Sequence, residues 1–189
     1  MTPLYFPRGT GFAALVELDS VPWGRLTHAY GTGITGLGPT HDVKSALLLL
    51  GTDFDGALDA LYSNVLHQGT VYEASAYAVP FMAALIAGKI DHESRVQLVR
   101  LLGALARSGS YEARSGSHSG AWGADVSARA FEAFKGSAAQ LKAAAAQVDA
   151  ELAEVILAII AAMEMPSIEM SAFLDDTLER FDDARSADV

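Results

Sequence analysis

Two stretches of this sequence place together side chains that could bind a small molecule or move protons. Residues 21–31 and residues 61–82 both mix aromatic residues with histidine, and the second also carries an amide and a carboxylate. Such groups supply a proton acceptor, hydrogen-bond donors and aromatic walls, which are the ingredients of a ligand pocket or an acid–base site. The candidate binding residues are Trp23, His28, Tyr30, His67, Gln68, Tyr72 and Glu73.

A structural interpretation of the same residues is favoured by their spacing. Thr70 and Glu73 have the spacing of a capping box, in which each side chain satisfies a backbone N–H at the start of a helix. His67 would lie in the last turn of the preceding helix, where its ring can donate to free carbonyls. Tyr72 could simply pack between helices. Hydrogen-bond satisfaction and a ligand site are therefore both open at this point.

A second group of candidates is acidic and lies in residues 167–189. The run from Asp175 to Glu179 resembles the DDxxE pattern with which terpene synthases hold magnesium and diphosphate, since two of its carboxylates share a helix face. The chain is much shorter than such an enzyme and shows no second metal motif, so a solvated or partner-facing acidic surface is favoured. This predicted acidic surface consists of Asp175, Asp176, Glu179, Asp182 and Asp183.

We expect no metal ion and no cofactor. His41, His92 and His118 have no histidine three or four residues away, which is the spacing typical of zinc sites. The glycine-rich residues 31–38 follow no strand and contain no lysine, so a phosphate-binding loop is disfavoured.

Helices must position these groups, because apolar residues recur at i, i+3, i+4 and i+7 along most of the chain. Two helices meet at a joint around residues 66–70, where Gly69 suits the left-handed residue that closes the first one. Asp53 and Asp91 are predicted N-caps, and Ser137 with Gln140 predicts a further capping box after a helix that ends at Gly136. The predicted helices cover about 43–50, 54–66, 71–87, 92–107, 125–136, 138–163 (one helix, or two joined near Asp149) and 168–184.

The chain is predicted to form a single domain, residues 1–189, with three less regular segments. Residues 1–40 form an irregular N-terminal segment, residues 108–124 form a long Gly/Ser-rich surface loop, and residues 167–189 form an acidic helix and tail. The loop has the length of either a mobile lid or a tolerated insertion, and the insertion is favoured.

Composition restricts the classes of function. The 189 residues are 51% hydrophobic, as in a globular domain, and the formal net charge of −10 repels nucleic acids and anionic lipids. The sequence contains no cysteine, begins with no signal-peptide pattern and has no apolar run long enough to span a bilayer. These features favour a cytoplasmic protein.

Helix pairs that recur at a period near 40 residues, without an alternating strand pattern, are typical of an α-solenoid. The fold is therefore predicted to be all-α. The sequence also resembles bacterial HEAT-repeat domain-containing proteins in two phrases: VPWGRLTHAYG at residues 21–31 and LYSNVLHQGTVYEASAYAVPF at residues 61–81. The resemblance is close from Ser20 to Arg107 and implies a HEAT/armadillo-like α-α superhelix. It implies no mechanism, because most such proteins have no assigned activity.

Three functions follow as hypotheses. The first is a protein-binding module, for example an immunity-like or regulatory binder of a basic partner, since an acidic solenoid surface attracts basic proteins. The second is a small-molecule enzyme, of a cyclase or isomerase type, with a pocket at the joint of residues 67–73. The third is a HEAT-like DNA glycosylase, which the acidic composition disfavours.

Overall fold

The fold is built from helices, as expected for an all-α protein. The computed structural model describes residues 3–33, 41–115 and 125–187. Within these ranges lie seven α-helices: α1 (Val43–Leu49), α2 (Phe54–Val65), α3 (Glu73–Ile86), α4 (His92–Ser115), α5 (Asp125–Ala145), α6 (Ala150–Ala162) and α7 (Ser167–Ala187). No helix of the described residues is both long and apolar enough to cross a membrane.

The N-terminal residues and the joint add short elements that the sequence did not reveal. Short 3-10 helices cover Gly11–Ser20, Trp23–Arg25 and His67–Gly69. An antiparallel hairpin pairs β1 (Thr27–His28) with β2 (Gly31–Thr32), with Thr27 opposite Thr32 and His28 opposite Gly31. Strands of two residues give no alternating hydrophobic pattern, so this hairpin was not predicted.

The central element is α3, whose residues are all buried from Glu73 to Ile86. A helix that is apolar on every side must be covered on every side. Its many alanines let neighbouring helices approach closely, and α5 packs against it most extensively. The 3-10 helix of residues 11–20, the β1 strand and α4 cover other parts of its surface. The predicted apolar stripe of this helix is thus only part of its buried surface.

Aspartates start several helices, as the sequence predicted at two of them. Asp53 accepts a hydrogen bond from the backbone N–H of Gly56 (3.2 Å), and Asp91 accepts one from that of Ser94 (2.9 Å). The hydroxyl and the N–H of Ser94 hold the pKa of Asp91 below its usual value. Asp149 caps α6 by accepting a hydrogen bond from the N–H of Leu152 (2.9 Å), so residues 138–163 are divided between the end of α5 and α6.

The predicted capping box at Thr70 and Glu73 is wrong. Helix α3 begins at Glu73, and the hydroxyl of Ser75 accepts the hydrogen bond from the backbone N–H of Tyr72 (2.8 Å). The same hydroxyl donates to the carbonyl of Val65 at the end of α2 (2.7 Å), which ties the two helices together. Ser75 therefore provides the helix-capping hydrogen bond that was predicted for Glu73, and the carboxylate of Glu73 bonds to the hairpin instead.

The predicted helix end at Gly136 and capping box at Ser137 are also wrong. Helix α5 continues unbroken to Ala145, and the hydroxyl of Ser137 donates to the carbonyl of Ala133 (2.8 Å) in the preceding turn. A Cβ atom on Gly136 would lie 2.2 Å from the ring of Phe6. The glycine is therefore explained by contact with the N-terminal segment and not by a helix end.

The predicted loop of residues 108–124 begins too early, because α4 continues to Ser115. Extending an existing helix adds one hydrogen bond per residue at little further nucleation cost, which offsets the weak helix propensity of glycine and serine. Residues 116–124 of that prediction lie outside the described part of the chain.

The N-terminal segment is held against α3 and against itself. Tyr5 stacks on Phe81 with 6.1 Å between ring centroids. The carboxylate of Glu17 accepts hydrogen bonds from the Tyr5 hydroxyl (2.6 Å) and from the backbone N–H groups of Arg8 and Gly9 (3.0 and 2.9 Å). These bonds, the one from Tyr5 most of all, lower the pKa of Glu17.

A close backbone crossing between this segment and the end of α3 gives the first prediction. A Cβ atom on Gly88 would lie only 2.0 Å from the backbone nitrogen of Gly11. We expect Gly88→Ala to lower the free energy of unfolding by about 1–3 kcal/mol, because backbone must move to accept the methyl group. Urea denaturation measures this change.

Gly24→Ala is the matched control, since a Cβ atom there meets nothing within 4 Å. Equal effects of the two substitutions would contradict the prediction.

Candidate functional site

A cleft of about 560 Å³ lies between the β1–β2 hairpin and the start of α3. Three of the seven predicted binding residues line it, namely His28, Tyr30 and Tyr72. Among the described residues, the lining is formed by Thr27, His28, Ala29, Tyr30, Gly31, Thr32, Thr70 and Tyr72. The structure therefore brings part of the predicted ligand site together, on the hairpin and not at the helix joint alone.

His28 shapes the hairpin with both ring nitrogens. Its Nε2 lies 2.9 Å from the carbonyl oxygen of Gly33, which can only accept, so Nε2 carries the proton. Its Nδ1 accepts from the backbone N–H of Tyr30 (3.4 Å). The residue is 4% exposed. Because both nitrogens already have backbone partners, His28 serves to close the hairpin.

Glu73 anchors the hairpin from behind and does not line the cleft. Its carboxylate accepts a hydrogen bond from the backbone N–H of Thr27 (2.9 Å), and the residue is 1% exposed. One turn further along α3, burial raises the pKa of the Tyr77 phenol, which also bonds with Arg129 of α5. Arg129 in turn pairs with Glu132 (2.7 Å). Buried charged groups need such partners, and this network places them between α3 and α5.

Trp23 and His67 lie apart from the cleft lining. Trp23 is a core residue, since it is 5% exposed, its indole N–H donates to the carbonyl of Leu18 (2.8 Å), and its ring contacts Tyr77 and Phe81. His67 lies with its ring centroid 6.0 Å from that of Tyr30. The structure thus does not bring His67 and Glu73 together as an acid–base pair in the cleft.

His41 is a neighbour of the site that sequence reasoning missed. Its ring centroid lies 4.8 Å from that of Tyr30, nearly perpendicular to it. Tyr30 therefore contacts two histidine rings, those of His41 and His67. Neither histidine has another histidine at metal-ligand spacing in the sequence, so no local signal marked the pair. Among the described residues, no group of three or more His, Asp or Glu side chains is arranged to hold a metal ion.

Gln68 belongs to a different cavity. It adopts a left-handed backbone with φ of 51°, next to the predicted left-handed Gly69 with φ of 74°. Gln68 lines a cavity of about 280 Å³ that lies between the joint, α4 and α7. That space is lined by Gln68, Gly69, Arg107, Ser108, Ser171 and Asp175.

The five predicted acidic residues of α7 are all exposed, but several are paired within the molecule. Asp182 accepts two hydrogen bonds from the guanidinium of Arg100 (2.9 and 2.6 Å), and Asp175 pairs with Arg107. Asp176 pairs with Arg180 of the next turn (3.1 Å). Among the described residues, Glu179 and Asp183 form no ion pair. Part of the predicted acidic surface therefore fastens α7 to α4.

The contact between α4 and α7 has a periodicity that the sequence contained. Arg100 and Arg107 are separated by seven residues, as are Asp175 and Asp182, and they pair in antiparallel order. Between the two pairs, a Cβ atom on Gly103 would lie 3.1 Å from the side chain of Leu178. Glycine therefore lets the helices approach between the two ion pairs. A search for complementary charges at heptad spacing could have found this contact.

A second exposed feature, a groove between α6 and α7, was not predicted. It encloses about 570 Å³ and contains Leu157, which is 48% exposed. Apolar residues surround α6 on more than one face, and only one face reaches the core. This excess of apolar residues in the sequence of α6 was the signal that could have predicted the groove. The groove is lined by Ala150, Ala153, Glu154, Leu157, Ala158, Ala161, Phe173, Thr177 and Arg180.

Comparisons with known proteins identify no relative. No protein-family model matches the chain, and no curated protein and no solved structure is significantly similar to it. The clefts and charges of the molecule itself therefore carry the information on its function.

The anchor of the hairpin gives the second prediction. Glu73→Leu leaves the backbone N–H of Thr27 without its carboxylate acceptor, which we expect to cost about 1–3 kcal/mol of unfolding free energy. Amide exchange at Thr27 should accelerate at the same time. Glu73→Gln keeps a carbonyl oxygen at this position and should lose less stability. If both variants exchange Thr27 at the wild-type rate, Glu73 does not anchor the hairpin.

The ion pair between α4 and α7 gives the third prediction. A double-mutant cycle with Arg100→Ala and Asp182→Ala should yield a coupling energy of about 0.2–1 kcal/mol, because both side chains are partly exposed. Thermal unfolding at low and high salt measures it, and the coupling should shrink as salt rises. A coupling of zero at low salt would show that the pair does not fasten α7.

Proposed function

We propose that this protein is a protein-binding module that holds a basic amphipathic helix of its partner in the groove between α6 and α7. The observation that supports this proposal is an open apolar groove between two helices that carry exposed acidic side chains. An inhibitor or immunity-like binder of a basic protein is a function of this class. We propose no cofactor for it.

We also propose that the helices form a HEAT-like array, an architecture that would suit the same function. Among the described residues, most helix contacts join an α-helix to the next one or the next but one, as between α3 and α5 or α4 and α6. Contacts between near neighbours in sequence are typical of solenoids. The contact of α4 with α7 spans a longer interval. The proposed array agrees with the expectation drawn from the phrase at residues 61–81.

The shape and lining of the groove suit a helix. Alanines at 150, 153 and 161 leave room for a close approach of backbone, while Leu157 and Phe173 provide larger apolar contacts. A helix that docks in such a groove presents apolar residues at i, i+3, i+4 and i+7. The outer face of a terminal repeat is normally polar, whereas the exposed residues of α6 include Ala150, Leu157 and Ala161.

Charge selects a basic occupant. Arg180 is the only cationic residue among the described residues that line the groove, and it is already paired with Glu154 (3.1 Å) and Asp176 (3.1 Å). Glu151 and Glu169, on the same two helices, are exposed acids outside those pairs. With a net charge of −10, the molecule attracts cationic partners and repels anionic ones.

A peptide selection tests this proposal and gives the fourth prediction. A displayed library of helical peptides with randomised faces is selected on the protein. We expect the enriched peptides to carry a net positive charge and apolar residues at helical spacing. Leu157→Ser should weaken the best peptide at least about tenfold, the equivalent of 1.4 kcal/mol, when binding is measured by fluorescence anisotropy.

The chain offers a matched control for this experiment. Leu48 on α1 is 48% exposed, as is Leu157, so Leu48→Ser removes an equally exposed leucine from a different helix. It should leave the dissociation constant unchanged. The proposal is wrong if the selected peptides are neutral or acidic, or if the two substitutions weaken binding equally.

A further inference from the structure

We infer that the cleft at the β1–β2 hairpin binds a neutral saccharide, at a site separate from the groove proposed for protein partners. No described residue lines both sites. Three features of the cleft favour such a ligand: the chemistry of its lining, the rigidity of the hairpin and its size.

The described lining carries no ionised side chain. It consists of threonine, tyrosine, alanine and glycine residues together with His28, whose ring nitrogens both bond to backbone groups. The nearby carboxylate of Glu73 accepts from the N–H of Thr27 and does not line the cleft. An ionic ligand would lose hydration here without gaining a counter-charge, so the lining favours an uncharged ligand.

The polar groups of the lining suit a ligand that is rich in hydroxyls. Thr27, Thr32 and Thr70 contribute hydroxyl groups, which can both donate and accept hydrogen bonds. The phenol groups of Tyr30 and Tyr72 add to these, and their rings offer apolar surface. A pyranose presents the complementary combination, hydroxyls around its edge and an apolar C–H face. The volume of about 560 Å³ lies within the range of small-molecule sites.

The cleft wall is fixed before any ligand arrives. Two backbone hydrogen bonds hold the hairpin in place. The N–H of Ala29 donates to the carbonyl oxygen of Asn64 (3.1 Å), and the N–H of Gly33 donates to the carbonyl oxygen of Leu26 (2.9 Å). Gly33 has φ of 74°, and a Cβ atom there would lie 2.5 Å from the carbonyl oxygen of Gly24. A preformed wall lowers the entropy lost on binding.

Saturation-transfer NMR with glucose, maltose, cellobiose and trehalose as probes tests the inference. We expect transfer from at least one of these sugars, and a weaker signal from glucose 6-phosphate and from glucosamine, which carry charge. Tyr30→Ala should raise the dissociation constant of the best sugar at least about fivefold. Phe12→Ala is the matched control, because Phe12 is 43% exposed and Tyr30 is 42% exposed. It should change nothing.

Two further variants keep the outcome interpretable. Thr70→Val removes one hydroxyl of the lining with little change in volume, and should also weaken binding if Tyr30→Ala fails to fold. Leu157→Ser should leave sugar binding intact, which separates this inference from the proposed peptide groove. The inference is overturned if none of the sugars gives transfer at about 10 mM, if the charged probes bind more tightly than glucose, or if Phe12→Ala weakens binding as much as Tyr30→Ala.

Discussion

The burial of α3 on every side is the constraint on which the rest of the structure depends. Burying apolar surface is the main force in folding, and a helix with apolar residues all round gains it only when several elements surround it. Helix α5, the N-terminal 3-10 helix and β1 each cover part of α3. Glu73, at the first turn of this helix, then fixes the hairpin through Thr27. The cleft wall is therefore a consequence of how α3 is covered.

The acidic side chains of the molecule have two different roles. Asp175 and Asp182 pair with arginines of α4 and help to position α7, whereas Glu151, Glu179 and Asp183 are exposed outside any ion pair among the described residues. Exposed pairs of this kind stabilise a protein only slightly, so their main effect is to fix which face of α7 meets α4. That choice leaves the other side of α7 to form the groove with α6.

The N-cap aspartates show what local sequence determines. Asp53, Asp91 and Asp149 act within three residues of themselves, and apolar periodicity likewise depends on contacts across one or two turns. The number and approximate position of most helices therefore followed from the sequence, as did the all-α class. A glycine can mark a helix end or a close contact, and the prediction at Gly136 chose wrongly. Gly136 was predicted to end a helix, but a side chain there would collide with the ring of Phe6.

Only the tertiary structure decided which distant residues meet. Glu73 was predicted to cap its own helix, yet its carboxylate bonds to Thr27, 46 residues away, and Arg100 meets Asp182 at a separation of 82 residues. His41 contacts Tyr30 over a shorter separation, and no spacing pattern along the chain predicted that contact either. The sequence by itself determined the helices, the net charge and the residue types available for a site. Packing decided their neighbours, because long-range contacts depend on how whole helices cover α3 and not on spacing along the chain.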